Sequence, residues 1–222
     1  MELQFTIGNQ VILIHDSIFN LGLVIVFLSI LTFIVNKKIK GADIEDEPSG
    51  FQNIIEISVD SVNNLVRQNM GQRNMRFAPY IFTLICFLTV ANLLGLIGLT
   101  PPTSDYSVTF SLAIVTFTIV QVMNFMTRKG LGGYLKSFTE PYVLLTPINI
   151  IGELGNPISL SFRLFGNIMS GGIIMSLLYS GLGYFAPIVT PFLHGYFDVF
   201  TGLLQTFIFA MLTMIFISDV AE

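Results

Sequence analysis

The sequence predicts an all-α, polytopic membrane protein, with about five membrane helices, one amphipathic helix on the cytoplasmic surface, and a long tilted C-terminal helix hairpin. Three observations lead there. Hydrophobic residues make up 53% of the 222 residues and charged residues only 11%, whereas a soluble domain carries about 25% charged residues. A water-soluble protein of this size would lack the polar side chains to cover itself. Apolar stretches of roughly 20 residues or more, enough to cross about 30 Å of hydrocarbon, recur along the chain, and short polar or basic segments punctuate them. The net charge of −4 leaves no basic patch able to release many counterions, which argues against nucleic acid as a partner.

The whole chain, 1–222, reads as one membrane domain. Residues 1–16 form a short external N-terminus. Its first ten residues lack the basic region of a cleavable signal peptide, so the first apolar run is expected to stay as an anchor. That run, 17–36 (SIFNLGLVIVFLSILTFIVN), is the first span, and Lys37, Lys38 and Lys40 follow it. GADIEDEPSG (41–50) reads as a loop broken by Pro48 and Gly50. Phe51, Ile55, Val59, Val62, Val66 and Met70 then recur every three or four residues with polar groups between them. This predicts an amphipathic helix lying along the membrane, within a surface segment of 45–75.

Residues 77–127 hold two spans, 77–99 and 108–127, joined by the turn TPPTSDYS (100–107). TRKGLGGYLKSFTE (127–140) reads as a glycine-rich loop. Residues 142–219 form the last unit, with apolar stretches at 142–182 and 186–218. As continuous helices these would be about 60 and 50 Å long. Both exceed the bilayer, so they must tilt, kink or begin outside the hydrocarbon; Pro147 and Pro157 are candidate break points. The single cysteine, Cys86, can form no internal disulfide. His15 and His194 are too isolated for a zinc site.

Nine of the ten basic residues fall in two segments: Lys37, Lys38, Lys40, Arg67, Arg73 and Arg76 between spans one and two, and Arg128, Lys129 and Lys136 between spans three and four. Both segments lie on one side if each span crosses once, and the excess of Lys and Arg makes that side cytoplasmic. The N-terminus is then outside and the C-terminus inside. No internal repeat is evident, which weighs against most secondary-transporter architectures.

The tenth basic residue is Arg163, with apolar sequence on both sides. A charge at the centre of a spanning helix costs at least about 2.5–3.5 kcal/mol on insertion scales, so it is kept only with a partner or a function. Ser159 and Asn167 lie four residues before and after it, on the same helical face. Asp198 and Gln205, seven residues apart, share a face of the last stretch, and His194 is one turn before Asp198 and could join it. Glu153 precedes Arg163 by ten residues, about 15 Å, on the cytoplasmic side; it lines a water pocket or sits among headgroups. Two aqueous half-pathways separated by a fixed positive charge would have this pattern. A continuous cation pore would not, because an arginine in it repels cations.

Here the residues resemble a known family. PISLSFRLFGN (157–167) closely resembles the signature of subunit a of the F-type ATP synthase, bacterial type. PTSDYSVTFSLA (102–113), ANLLGLIG (91–98), KGLGGYLKSF (129–138) and LLQTFIFAMLTMIFIS (203–218) resemble other segments of the same family. The resemblance runs from about residue 45 onward. It implies an ion-conducting stator subunit in a bacterial plasma membrane. Its implied partners are the c-ring of the rotor, the peripheral-stalk subunit b, the remainder of the complex, the lipid bilayer and a translocated H+ or Na+. It implies no cofactor and no catalytic chemistry in this chain. Arg163 would be the stator arginine and Asn167 and Gln205 its polar neighbours. Asp198 falls where relatives place a histidine or glutamate. The paired position, often glutamate or histidine, is Gly172 here, so one ionisable group helped by water above Gly172 would have to serve. On the residues alone two rivals stay open: a self-contained cation transporter or channel gated by an intramembrane arginine, and a non-conducting assembly scaffold.

Overall fold

The computed structural model describes residues 2–7, 10–41, 49–128, 131–139 and 142–221. Four continuous helical stretches in it are long and apolar enough to cross a membrane: Asp16–Lys40, Gln72–Ile97, Tyr106–Thr127 and the 79-residue Val143–Ala221. The last turns at Gly183, whose φ of +48° lies where glycine is favoured. It is therefore a hairpin, and the membrane body is all-α with five rods. Ahead of it stands a feature the sequence reading left out, an antiparallel pair of strands, β1 (Glu2–Ile7) and β2 (Gln10–His15), in register from Glu2↔His15 to Ile7↔Gln10. Both runs are rich in the β-branched and large apolar residues that favour strands.

The first span is α1 (Asp16–Lys40), longer than the apolar run because Lys37, Lys38 and Lys40 form its last turn, where cations meet the negative end of the helix dipole. The expected loop after it falls largely on residues 42–48, outside the described residues. The amphipathic helix is α2 (Gly50–Met70), capped by the Ser49 hydroxyl and ended by Gly71 at φ +74°. Its C-terminal residues Val66 and Met70 are buried against Ala78 and Ile81 of α3 (Ala78–Leu93), Val120 of α4 (Tyr106–Thr127), and Met214 and Ile217 of α8 (Gly202–Ala221). Its N-terminal half leaves Phe51, Ile54 and Ile57 exposed.

Two expectations need correction. The glycine-rich segment is helical over α5 (Leu131–Thr139). Tyr134 and Phe138, one turn apart, meet edge to face at 5.1 Å, and the Tyr134 hydroxyl donates to Gln121 Oε1 at 2.7 Å. These contacts stabilise a turn that the glycines disfavour. Neither proline breaks α6 (Thr146–Leu182): Pro147 occupies its first turn, where the missing N–H costs nothing, and Pro157 lies inside a continuous helix. At 37 residues α6 is about 55 Å long, so the excess over the bilayer remains.

Lipid is as apolar as leucine, so these helices are held by close packing and hydrogen bonds rather than by escape from water. Leu160, Leu164 and Ile168 of α6 recur every four residues and pack on Leu84 and Leu88 of α3, Ala113 of α4 and Phe209 of α8. Asn92 fastens three elements. Its Nδ2 donates to the Gly202 carbonyl at 3.0 Å and to Thr206 Oγ1 at 3.1 Å, and its Oδ1 accepts from Thr103 Oγ1 at 2.7 Å. Gly202 permits this approach, since a Cβ there would stand 3.2 Å from that of Asn92. Asn20 ties α1 to the same end by donating to the Thr100 carbonyl at 2.8 Å.

Candidate ion pathway

Burying the leucine stripe of α6 inward turns its opposite face out. Ser159, Arg163, Gly166 and Ser170 lie there, all exposed. Arg163 makes no hydrogen bond or ion pair with any described residue. One turn on, Asn167 Nδ2 donates to Gln205 Oε1 of α8 at 2.6 Å. Gln205 is 1% exposed, and its Nε2 is buried without a partner among the described residues. Of the sequence-predicted set, Asn167 and Gln205 are thus joined across the α6–α8 contact, while Ser159 and Arg163 lie on the outward face of α6, the guanidinium without a partner among the described residues.

Asp198 lies elsewhere. The second arm of the hairpin is α7 (Ala186–His194), a π-helical segment Gly195–Thr201, and α8. Thr201 Oγ1 donates to the carbonyl five residues back, that of Tyr196, at 3.1 Å. The wider turn breaks the 3.6-residue spacing that would keep Asp198 and Gln205 on one face. Gln205 points inward to Asn167, whereas Asp198 lines a cavity of about 490 Å³ with Gly172, Gly95 and His194. A Cβ at Gly172 would meet nothing within 4 Å, and one at Gly95 would stand 3.0–3.2 Å from the Asp198 carboxylate. His194 is engaged on both ring nitrogens, Nδ1 with Asp198 Oδ2 and Nε2 with the Tyr179 hydroxyl at 2.7 Å. A second cavity of about 410 Å³, edged by Asp16 and Asp105, adjoins the first through Thr100, Ser104 and Met169.

Glu153 occupies the opposite end of α6, apart from Asp198. Its Oε1 is 3.5 Å from Asn124 Nδ2, a long contact, and Asn124 Oδ1 accepts from Arg128 Nε at 3.0 Å. Gln121 and Asn156 join Glu153 around a small cavity of about 20 Å³, room for about one water. Burial pushes the Tyr134 phenol above its ordinary pKa, and the Glu153 charge pushes it further. Sequence reading missed Gly95, Tyr179, Asn124 and Gln121. Only the asparagine and glutamine inside an apolar span gave any local signal; a glycine or a tyrosine there is ordinary.

The fold and these side chains define a multi-pass membrane protein with ionisable groups set at both ends of one long helix and a bare arginine between them. The ATP synthase A chain family matches residues 18–218. Among its relatives, ATP synthase subunit a 3 of Pelobacter propionicus is 36% identical over 212 residues, 93% of this chain and 88% of that one. ATP synthase subunit a of Trichlorobacter lovleyi is 37% identical over 204 residues, 90% and 84% of the two chains. Subunit a 1 of Chlorobium luteolum is 37% identical over 169 residues, 76% and 74% of the two. The chain belongs to the ATP synthase A chain family: it is a multi-pass bacterial membrane subunit of the synthase, with no catalytic chemistry of its own.

Proposed function

We propose that this subunit conducts ions through two offset half-channels to the carboxylates of a c-ring, with Arg163 separating them and a peripheral-stalk subunit b holding it against the ring. The single observation that supports this best is the state of Arg163. It is exposed, on a face of small and polar residues, and unpaired among the described residues, and a bare guanidinium at membrane depth requires a counter-charge. A ring carboxylate passing that face supplies one.

In this reading the side with Lys37, Lys38, Arg128 and Lys136 is cytoplasmic, the N-terminus is outside, and the bacterial plasma membrane is the host. An ion, H+ or Na+, reaches the ring from outside past Asp198, through the cavity that Gly172 leaves open. The neutralised ring site then enters lipid, which a charged one could not. After nearly a full turn it releases its ion near Glu153. The bare carboxylate is next attracted to Arg163, which favours its charged form and blocks leakage between the half-channels. Asn167 and Gln205 hold the ground beside the guanidinium, and Ser159 faces the ring one turn away. Each charge crossing 100 mV releases about 2.3 kcal/mol, so several must combine for one ATP.

The test is Arg163→Ala in the complete synthase, reconstituted in vesicles. Ion-driven ATP synthesis should disappear while the assembled complex is recovered in normal amount. Coupled synthesis at the wild-type rate would remove Arg163 from the mechanism.

A further inference from the structure

Resting on that reading, we propose that Tyr179 is a further group of the outer access route: Tyr179, His194 and Asp198 form one phenol–imidazole–carboxylate chain that hands protons inward. The imidazole is held at both ends, by the Tyr179 hydroxyl at 2.7 Å on Nε2 and by Asp198 Oδ2 on Nδ1. The Tyr179 and His194 rings also touch, with centroids 6.0 Å apart. Exposure falls along the chain. Tyr179 is 46% exposed, and the side chains of His194 and Asp198 are 29% and 19% exposed. Tyr179 lies sixteen residues beyond Arg163, about 24 Å by helical rise. If Arg163 is near mid-membrane, the phenol is at the outer surface and the carboxylate inside.

Phenol and imidazole each both donate and accept, so the chain can pass a proton without moving a heavy atom far. A proton from water joins the Tyr179 oxygen as the phenol proton passes to Nε2, and the Nδ1 proton passes to Asp198 Oδ2. One proton has entered, one carboxylate is neutral, the phenol is restored and the imidazole has changed tautomer. Ring reorientation returns it for the next cycle. The chain also answers the gap at Gly172. No ionisable group stands there, but His194, four residues before Asp198 on the same arm, supplies the second one. Among the described residues lining the cavity only His194 and Asp198 are ionisable. Asp16 and Asp105 edge the adjoining cavity beyond Thr100 and Ser104, and the Gly95 side of the carboxylate carries no charge. Because the groups are joined by hydrogen bonds, the chain carries protons and not a hydrated sodium ion.

The experiment uses vesicles bearing the complete synthase in sodium-free buffer, with ATP-driven proton uptake measured in H₂O and D₂O. Tyr179→Phe keeps the ring and removes only the hydroxyl. Loss of one hydrogen bond in the chain should slow uptake about three- to tenfold, change the solvent isotope effect, and leave the amount of assembled complex unchanged. Because Tyr179 acts only through His194, the double variant Tyr179→Phe/His194→Leu should be no slower than His194→Leu alone. A wild-type rate and isotope effect for Tyr179→Phe overturns the proposal, as does a double variant whose losses multiply. A fall in complex yield matching the fall in rate assigns the hydroxyl to packing and overturns it too. Transport that requires sodium and persists with a protonophore does the same. Arg163→Ala in the same preparation separates the two levels. If it keeps coupled uptake, the stator reading fails; if it abolishes uptake while Tyr179→Phe is normal, only the relay falls.

Discussion

Gly95→Ala is a demanding probe of how tightly Asp198 is held. Gly95 lies in the short 3-10 turn after α3, and a Cβ built on it stands 3.0 Å from Cγ, 3.1 Å from Oδ1 and 3.2 Å from Oδ2 of Asp198. Ordinary contact begins near 3.4 Å, so the carboxylate must retreat by up to about 0.4 Å. Its φ is not in the left-handed region, so alanine strains no backbone, and the group displaced is the free end of a side chain. The fold should therefore tolerate the change. The carboxylate can yield only by leaving its rotamer or its bond to His194. A distortion of that kind costs about 0.5–1.5 kcal/mol. If it is borne in the ion-transfer step, the rate should fall roughly two- to tenfold. The assay is ATP-driven ion uptake by reconstituted synthase, with complex yield alongside. Gly22→Ala in α1 is the control, because a Cβ there meets nothing within 4 Å. Normal uptake in Gly95→Ala, or a collapse of yield in place of rate, would refute the idea that this contact positions Asp198.

Further outcomes follow from the same geometry. Arg163→Lys should fail nearly as completely as Arg163→Ala in ATP synthesis by vesicles, because a compact ammonium lacks the planar fork and can lose its charge when buried. Asp198→Asn should slow ion uptake strongly with the complex intact, and an unchanged rate would exclude the carboxylate from the path. Gly172→Leu should lower passive ion conductance of the membrane sector at normal yield, since the side chain extends into the cavity of about 490 Å³; loss of yield would assign Gly172 to helix packing instead. Asn92→Ala removes the partner of Thr103, Thr206 and the Gly202 carbonyl. It should lower the thermal stability of the detergent-solubilised complex by about 1–3 kcal/mol, with residual transport per assembled complex close to normal.

What the sequence made legible, and what it hid, follows from the distance over which each feature is decided. The spans were readable because insertion into hydrocarbon is settled locally, residue by residue. Arg163 stood out for the same reason. The Asp198–His194 pair lies within one helical turn, so spacing alone suggested it. The Gly95 contact with Asp198 joins positions 103 residues apart and leaves no trace in either segment. Tyr179 reaches His194 only because the chain reverses at Gly183. The π-helical turn at Gly195–Thr201 was equally hidden, and it is what parts Asp198 from Gln205 after their spacing of seven had suggested a shared face. The helix over Leu131–Thr139 was masked by its glycines and depends on the contacts of Tyr134 and Phe138.

Polar residues in apolar helices therefore divide by how completely the chain satisfies them. Asn92 meets three partners and Asn20 two polar atoms of Thr100. Such groups are expensive to leave unpaired in lipid, and pairing them fixes helix against helix; their work is finished when the chain is folded. Arg163 meets none among the described residues, and Gln205 keeps an unmet Nε2 one turn from it across the α6–α8 contact. An uncompensated charge at membrane depth lowers stability, so folding alone gives no reason to keep Arg163. In the proposed mechanism the compensation arrives from outside this chain. A fixed neighbour would neutralise the arginine permanently, whereas a carboxylate that comes and goes leaves it able to discharge one site after another. The absence of a partner for Arg163 among the described residues, set against the bonded side-chain amides of Asn92 and Asn20, is what separates the moving part of the proposed mechanism from the frame that holds it.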